Sequence, residues 1–158
     1  MNLLESLTAL GNKINRYYPE INSGGCCIYA AIVGEELLAR NIKTRIVIAH
    51  WCRTKVNIDY VRKSSNPSTM EDWTDNDIHF NHVGVEFKYR RTWYSHDTDM
   101  TVKSREGRLG GFFLYPGRLT VDEAKTLASS EHGWNSTFDR NNIPRIRNHI
   151  HKFFISIM

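Results

Sequence analysis

The segment Thr44 to Trp51, Thr-Arg-Ile-Val-Ile-Ala-His-Trp, is β-branched and almost unbroken in apolar character, as a buried strand is. A buried strand must be covered by other elements, and the sequence on either side supplies them. Upstream, Leu3, Leu4, Leu7, Leu10, Ile14, Tyr17 and Tyr18 recur at steps of three and four, the stripe of an amphipathic helix that ends at Pro19. A turn rich in Asn22, Ser23, Gly24 and Gly25 leads into a second helix, Cys26 to Asn41. Its Ala30, Ala31 and Gly34 form a small-residue face that lets another element approach closely.

Downstream, Val56 to Val61 reads as a neighbouring strand and Ser64 to Asp77 as an exposed, substrate-facing loop. His82 to Phe87 and Thr92 to Asp97 read as an antiparallel hairpin joined by the four residues Lys88 to Arg91. Gly107 to Pro116 suits a strand or extended segment. Thr120 and Glu123 make a capping box that opens a helix to about Glu131. Pro144 suits the first turn of a last helix, with Ile146, Ile150, Phe153 and Ile157 as its stripe. Helices, then sheet, then helices describe an α+β protein, and 158 residues are the length of one domain.

Several classes are excluded by composition. No run approaches the ~20 apolar residues of a membrane span, and Met1 to Gly11 carry Glu5 and no basic stretch, so no signal peptide is visible and a cytoplasmic protein is expected. The net charge of +4 is local: the surplus is Arg140, Arg145, Arg147 and Lys152, spread over both flanks of the last helix, so nucleic acid is not the expected partner. Three cysteines, Cys26, Cys27 and Cys52, cannot all pair within one chain and are expected as thiols.

Gly24-Gly25-Cys26 delivers a thiol to the first turn of a helix, where backbone N–H groups lack partners. The helix dipole and a nearby imidazole favour the thiolate, the form that attacks a carbonyl carbon, and the cysteine's own N–H can stabilise the resulting oxyanion. The hairpin supplies the imidazole. A four-residue connection pairs 82 with 97, 84 with 95 and 86 with 93, so Asp97 faces His82 and orients it, while Gly84 leaves room for the helix bearing Cys26.

These residues together resemble the transglutaminase-like superfamily of the papain-like cysteine-enzyme fold. The resemblance rests on Gly25-Cys26-x-x-Tyr29-Ala30, Leu37 to Arg45, His82-x-x-x-Glu86 and Trp93-Tyr94-x-x-Asp97, and covers about Asn22 to Asp97. It implies one domain with a core over about 22–97 and C-terminal helices over about 120–158, in which a central helix opening on the cysteine packs on an antiparallel sheet. It further implies Cys26 as nucleophile, His82 as general acid and base, and Asp97 as the orienting carboxylate, with Cys27 left to packing. The chain departs from the family at Gly84, where a tryptophan is frequent, and at Thr98, where a proline is frequent.

Asn22 and the Cys26 N–H are the candidate oxyanion donors, and Glu86 and Trp93 the candidate substrate-binding residues. The chemistry implied is acyl transfer through a thioester, with a peptide or protein as substrate and neither cofactor nor metal. Protease, isopeptidase and amidase activities, transglutaminase-type transfer and deamidation share that chemistry, and an inactive binding module shares the fold. A metal site drawn from Cys26, Cys27, His79, His82, His96 and Asp99 is disfavoured, because adjacent cysteines chelate poorly and no Cys-x-x-Cys pair is present.

Overall fold

The computed structural model describes residues 2–22, 24–50, 82–104, 108–114, 117–128 and 138–158. The expected strand Val56 to Val61, the loop Ser64 to Asp77, Cys52 and His79 lie outside these residues, as does the end of the helix expected to reach Glu131. Among the described residues the fold is α+β, with helices α1 (Leu3–Tyr17), α2 (Cys26–Ala39), α3 (Val121–Ala128) and α4 (Ile143–Ile157). The strands β1 (Thr44–His50), β2 (His82–Tyr89), β3 (Thr92–His96), β4 (Thr101–Lys103), β5 (Arg108–Leu109) and β6 (Phe112–Leu114) pair antiparallel in the order β4-β3-β2-β1-β6-β5.

Strand β1 lies inside this sheet, between β2 and β6, which is why Ile46 to Ala49 are all apolar and buried. Ile46 and Ile48 join the large core formed with the helices, whereas Val47 and Ala49 join a smaller cluster with Leu109 and Leu114. Successive side chains of one strand thus serve two cores. Helix α2 is buried over most of its length, and Gly34 lets α3 come close: a Cβ there would lie 2.8 Å from Val121 Cγ2. The Thr120–Glu123 capping box closes with reciprocal contacts of 3.0 and 3.1 Å.

On α4 the fully buried residues are Ile146, Ile150 and Phe154, each contributing about 1.5–3 kcal/mol. Phe153 is only partly buried and Ile157 is exposed, so the expected stripe holds at Ile146 and Ile150 and then passes to Phe154 in place of Phe153. The charged flank of α4 is also engaged, Arg147 donating to Glu35 and His151 lying 2.8 Å from Glu36, both on α2.

The hairpin departs most from expectation. Val85 pairs with His96, Glu86 with Ser95, Lys88 with Trp93 and Tyr89 with Thr92, so the connection is two residues and not four. Arg90 and Arg91 form it with φ of 49° and 70°, the left-handed pair that a tight twisted hairpin requires and that asparagine-glycine usually supplies. Without that marker in the sequence, Lys88 and Arg91 read as loop. The resulting slip is two residues, and because strand side chains alternate with period two, it leaves every residue on its own face. His82 and Asp97 therefore become diagonal rather than direct neighbours and still meet.

Gly84 also needs correction. Its missing side chain is replaced by Leu109 and Val47, at 2.9 and 3.3 Å from where a Cβ would stand, so it makes room for the small cluster and not for α2.

Candidate active site

Cys26 is the first residue of α2. Gly24 reaches it with φ of 110°, and Gly25 has no space for a side chain, a Cβ there lying 2.7 Å from the Ile21 carbonyl oxygen and 3.0 Å from the Phe138 ring. The helix carries no side-chain cap, so its first N–H groups, that of Cys26 included, keep their donor capacity at the thiol's own end. Cys27 points elsewhere: it is buried, its thiol donates to the Ala124 carbonyl at 3.4 Å, and burial followed by the proximity of Cys26 pushes it well up the thiol range.

His82 opens β2 and is 4% exposed, with its ring stacked on Phe112 at a centroid distance of 4.5 Å. Nε2 donates to Asp97 Oδ2 at 2.8 Å, and the Cys26 thiol lies near enough to the ring to raise its affinity for a proton. Burial works to lower the affinity of this ring for a proton. The hydrogen bond to Asp97, the nearby Cys26 and the charge of Asp97 outweigh it, carrying His82 up to about 9, so the imidazolium is its form at neutral pH.

Asp97 follows β3 and is 4% exposed. Its second oxygen, Oδ1, accepts from the backbone N–H of Asp99 at 2.8 Å and of Met100 at 2.9 Å. Burial raises this carboxyl, but the hydrogen bond and charge of His82 and the two backbone donors lower it further, so it sits below the usual carboxylate range. Of the three expected residues, His82 and Asp97 are in direct contact, and Cys26 is near enough to the ring to raise its affinity for a proton.

Asn22 ends a short 3₁₀ turn, Pro19–Asn22, four residues before Cys26, and its Oδ1 accepts from the buried hydroxyl of Thr98 at 2.9 Å. That fixes the carbonyl end of the amide and leaves Nδ2 as the end able to donate to an oxyanion. Glu86 and Trp93 come together with each other and not with Cys26. Glu86 is 1% exposed, paired with Arg45 and Arg118 and accepting from Ser104 at 2.8 Å, while the Arg45 guanidinium lies 3.9 Å above the Trp93 ring. Four residues of strand separate this row from His82, about 13 Å. Burial raises the Glu86 carboxyl, and Arg45, Arg118 and Ser104 more than reverse the effect.

Sequence reasoning passed over three contributors. Gly11 of α1 lies against the backbone that carries the carboxylate: a Cβ would be 2.9 Å from the Asp97 carbonyl oxygen and 3.0 Å from Thr98 Cα. A glycine on the buried stripe of an otherwise good helix was the available signal. Asn15, one turn later, donates to Asp99 at 3.2 Å. His96 is fully buried, with the Tyr29 hydroxyl 2.6 Å from Nε2 and the Thr101 hydroxyl 2.7 Å from Nδ1. Its neighbour Asp97 drew attention away from it.

Among the described residues no group of three or more His, Cys, Asp or Glu is arranged to hold a metal ion, and no helix is long and apolar enough to cross a membrane. Compared with protein-family models, curated proteins and solved structures, the chain matches none.

Proposed function

We propose that this chain is a cysteine-dependent acyl-transfer enzyme of the transglutaminase-like superfamily, on the papain-like fold, and that it hydrolyses an amide bond in a peptide or protein substrate. One observation carries the reading. A thiol at the first residue of a helix lies beside an imidazole whose Nε2 stands 2.8 Å from a buried, backbone-held carboxylate.

In this mechanism the Cys26 thiolate attacks the amide carbonyl carbon; the carbon–sulfur bond forms and the carbonyl electron pair moves onto oxygen. The Cys26 N–H donates to that oxyanion, with Asn22 Nδ2 as the side-chain donor beside it. The His82 imidazolium gives its proton to the leaving nitrogen as the carbon–nitrogen bond breaks, leaving a thioester and a neutral ring. Water then attacks the thioester, His82 takes its proton, and the thiolate departs. Asp97 stays ionised throughout and holds the ring in the tautomer that serves both steps. A second amine in place of water would turn the same thioester to transfer.

Alkylation by iodoacetamide, followed at each cysteine by peptide mass spectrometry, tests this without a known substrate. The expected result is that Cys26 reacts rapidly at about pH 6, where an ordinary thiol of pKa near 8.5 is almost wholly protonated, and slows when His82 is replaced by alanine. A Cys26 that reacts no faster than Cys27 and ignores His82→Ala would leave a binding module of the same fold as the reading.

A further inference from the structure

On the N-terminal side of Cys26 stand Gly24 and Gly25, which have no side chains with which to fix the rotational setting of the helix. What fixes the thiol against His82 must therefore act from within α2. Tyr29 stands one turn after Cys26, and residues three apart share a helix face, so a restraint at 29 sets the azimuth of 26. One position away, about 100° round the helix, Cys27 already faces α3.

Tyr29 is 2% exposed and its hydroxyl meets His96 Nε2 at 2.6 Å, while Nδ1 of the same ring meets Thr101 at 2.7 Å. A neutral imidazole donates at one nitrogen and accepts at the other, and two hydroxyls satisfy either tautomer. Apolar packing would seat the helix as well. A phenol and an imidazole buried together instead carry a desolvation cost unless they meet, so the pair specifies a distance and an angle, which an apolar contact does not. His96 is the last residue of β3, directly before Asp97. The bridge therefore joins the helix that carries the thiol to the strand that carries the carboxylate.

Building on the reading of Cys26 as nucleophile, we infer that Tyr29 and His96 are positioning residues, whose hydroxyl-to-imidazole bridge sets the Cys26 thiol within reach of the His82 ring. Neither touches the reacting atoms. The charged groups facing the pair are Asp97 on one side and, through it, His82; burial followed by the Asp97 charge raises the Tyr29 phenol well above its usual range, so both members of the bridge stay neutral.

The test is the pH profile of Cys26 alkylation by iodoacetamide in the full chain, with the fold monitored by circular dichroism and melting temperature. Tyr29→Phe, isosteric but without the hydroxyl, is expected to slow alkylation at about pH 6 by roughly tenfold and to move the profile toward alkaline pH. His96→Gln, which keeps a partner for the phenol, is expected to stay within about threefold of the native chain, whereas His96→Leu follows Tyr29→Phe. A folded Tyr29→Phe protein with the native profile would overturn the inference, whatever its melting temperature. Should that variant not fold, Thr101→Val takes its place, with the same alkaline movement expected and an unmoved profile again overturning. His82→Ala, run alongside, separates the two levels: native alkylation in that variant removes the reading of the site and the bridge with it, while slowed alkylation there with an unmoved Tyr29→Phe removes the bridge alone.

Discussion

Two histidines are buried on adjacent strands of one sheet, His82 at 4% exposure and His96 at 0%, and they lie on opposite sides of the imidazole range. Burial lowers both. His82 also touches a carboxylate and has a thiol nearby, which carry it up to about 9; His96 touches two neutral hydroxyls, which leave burial unopposed by any charged partner in contact, and it falls to about 4. The carboxylate next to His96 in sequence raises it, but not enough to compete. Burial alone thus says little about which histidine holds a proton at neutral pH, and the charge of the groups in contact decides it.

Replacing His82 with alanine is expected to cost about 10³-fold in turnover, and Cys26→Ala at least as much, since the members of such a unit fail together. Cys27 will not rescue Cys26→Ala, because its thiol faces Ala124; a folded Cys26→Ala variant with residual turnover of a peptide amide would contradict the assignment. Asp97→Asn removes the anion and should bring His82 down by about 1–2 pH units, read from its ring resonances in an NMR titration. A His82 that stayed near 9 in that variant would mean the thiolate alone holds it.

The histidines also impose opposite pH dependences on stability. Folding raises His82 above the usual 6.5, so its contribution is complete below about 6.5 and lost as pH climbs toward about 9. Folding lowers His96, so the unfolded chain accepts a proton that the folded chain refuses, and stability falls as pH drops from about 6.5 toward about 4. Each group contributes a slope of at most about 1.4 kcal/mol per pH unit in its own window. Urea unfolding across pH should flatten on the alkaline side alone in His82→Gln and on the acid side alone in His96→Gln; a shared response would dissolve the distinction.

Smaller effects sharpen it further. Gly11→Ala should destabilise by about 1–3 kcal/mol and slow Cys26 alkylation, because the added methyl meets the Asp97 and Thr98 backbone with no flexible side chain to yield. Replacing Arg90-Arg91 by Asn-Gly should stabilise by about 1 kcal/mol in urea unfolding and leave alkylation unchanged, since it relieves two left-handed non-glycine residues far from the thiol.

Much of this was legible because local chemistry and tertiary placement agree. The Thr120–Glu123 box and the stripe of α1 carry their own signals, and Cys26, His82 and Asp97 each sit at the end of an element that the sequence marks. The register of the hairpin was not legible: Arg90 and Arg91 adopt a turn geometry that their residue type does not advertise, and the pairing of β2 with β1 and of β3 with β4 holds them there. Nor could sequence spacing place Glu86 with Arg45 and Arg118, an arrangement made by cross-strand pairing and by a contact from 32 residues away. Gly11 shows the same limit, since what a helical glycine accommodates is known only when the other chain segment is in place.

The bracing of the carboxylate turn by α1 bears on when the site comes into being. Asn15 and Asp99 are 84 residues apart, and contacts of such separation form late, after the loop-closure entropy of the intervening chain has been overcome. The β2–β3 hairpin closes locally and early by comparison. A chain still emerging from the ribosome, or one collapsed but not yet docked, would therefore own Cys26, His82 and Asp97 and lack the α1 contacts that brace the turn carrying the carboxylate. On the proposed reading of the site, docking of α1 is then also what completes it.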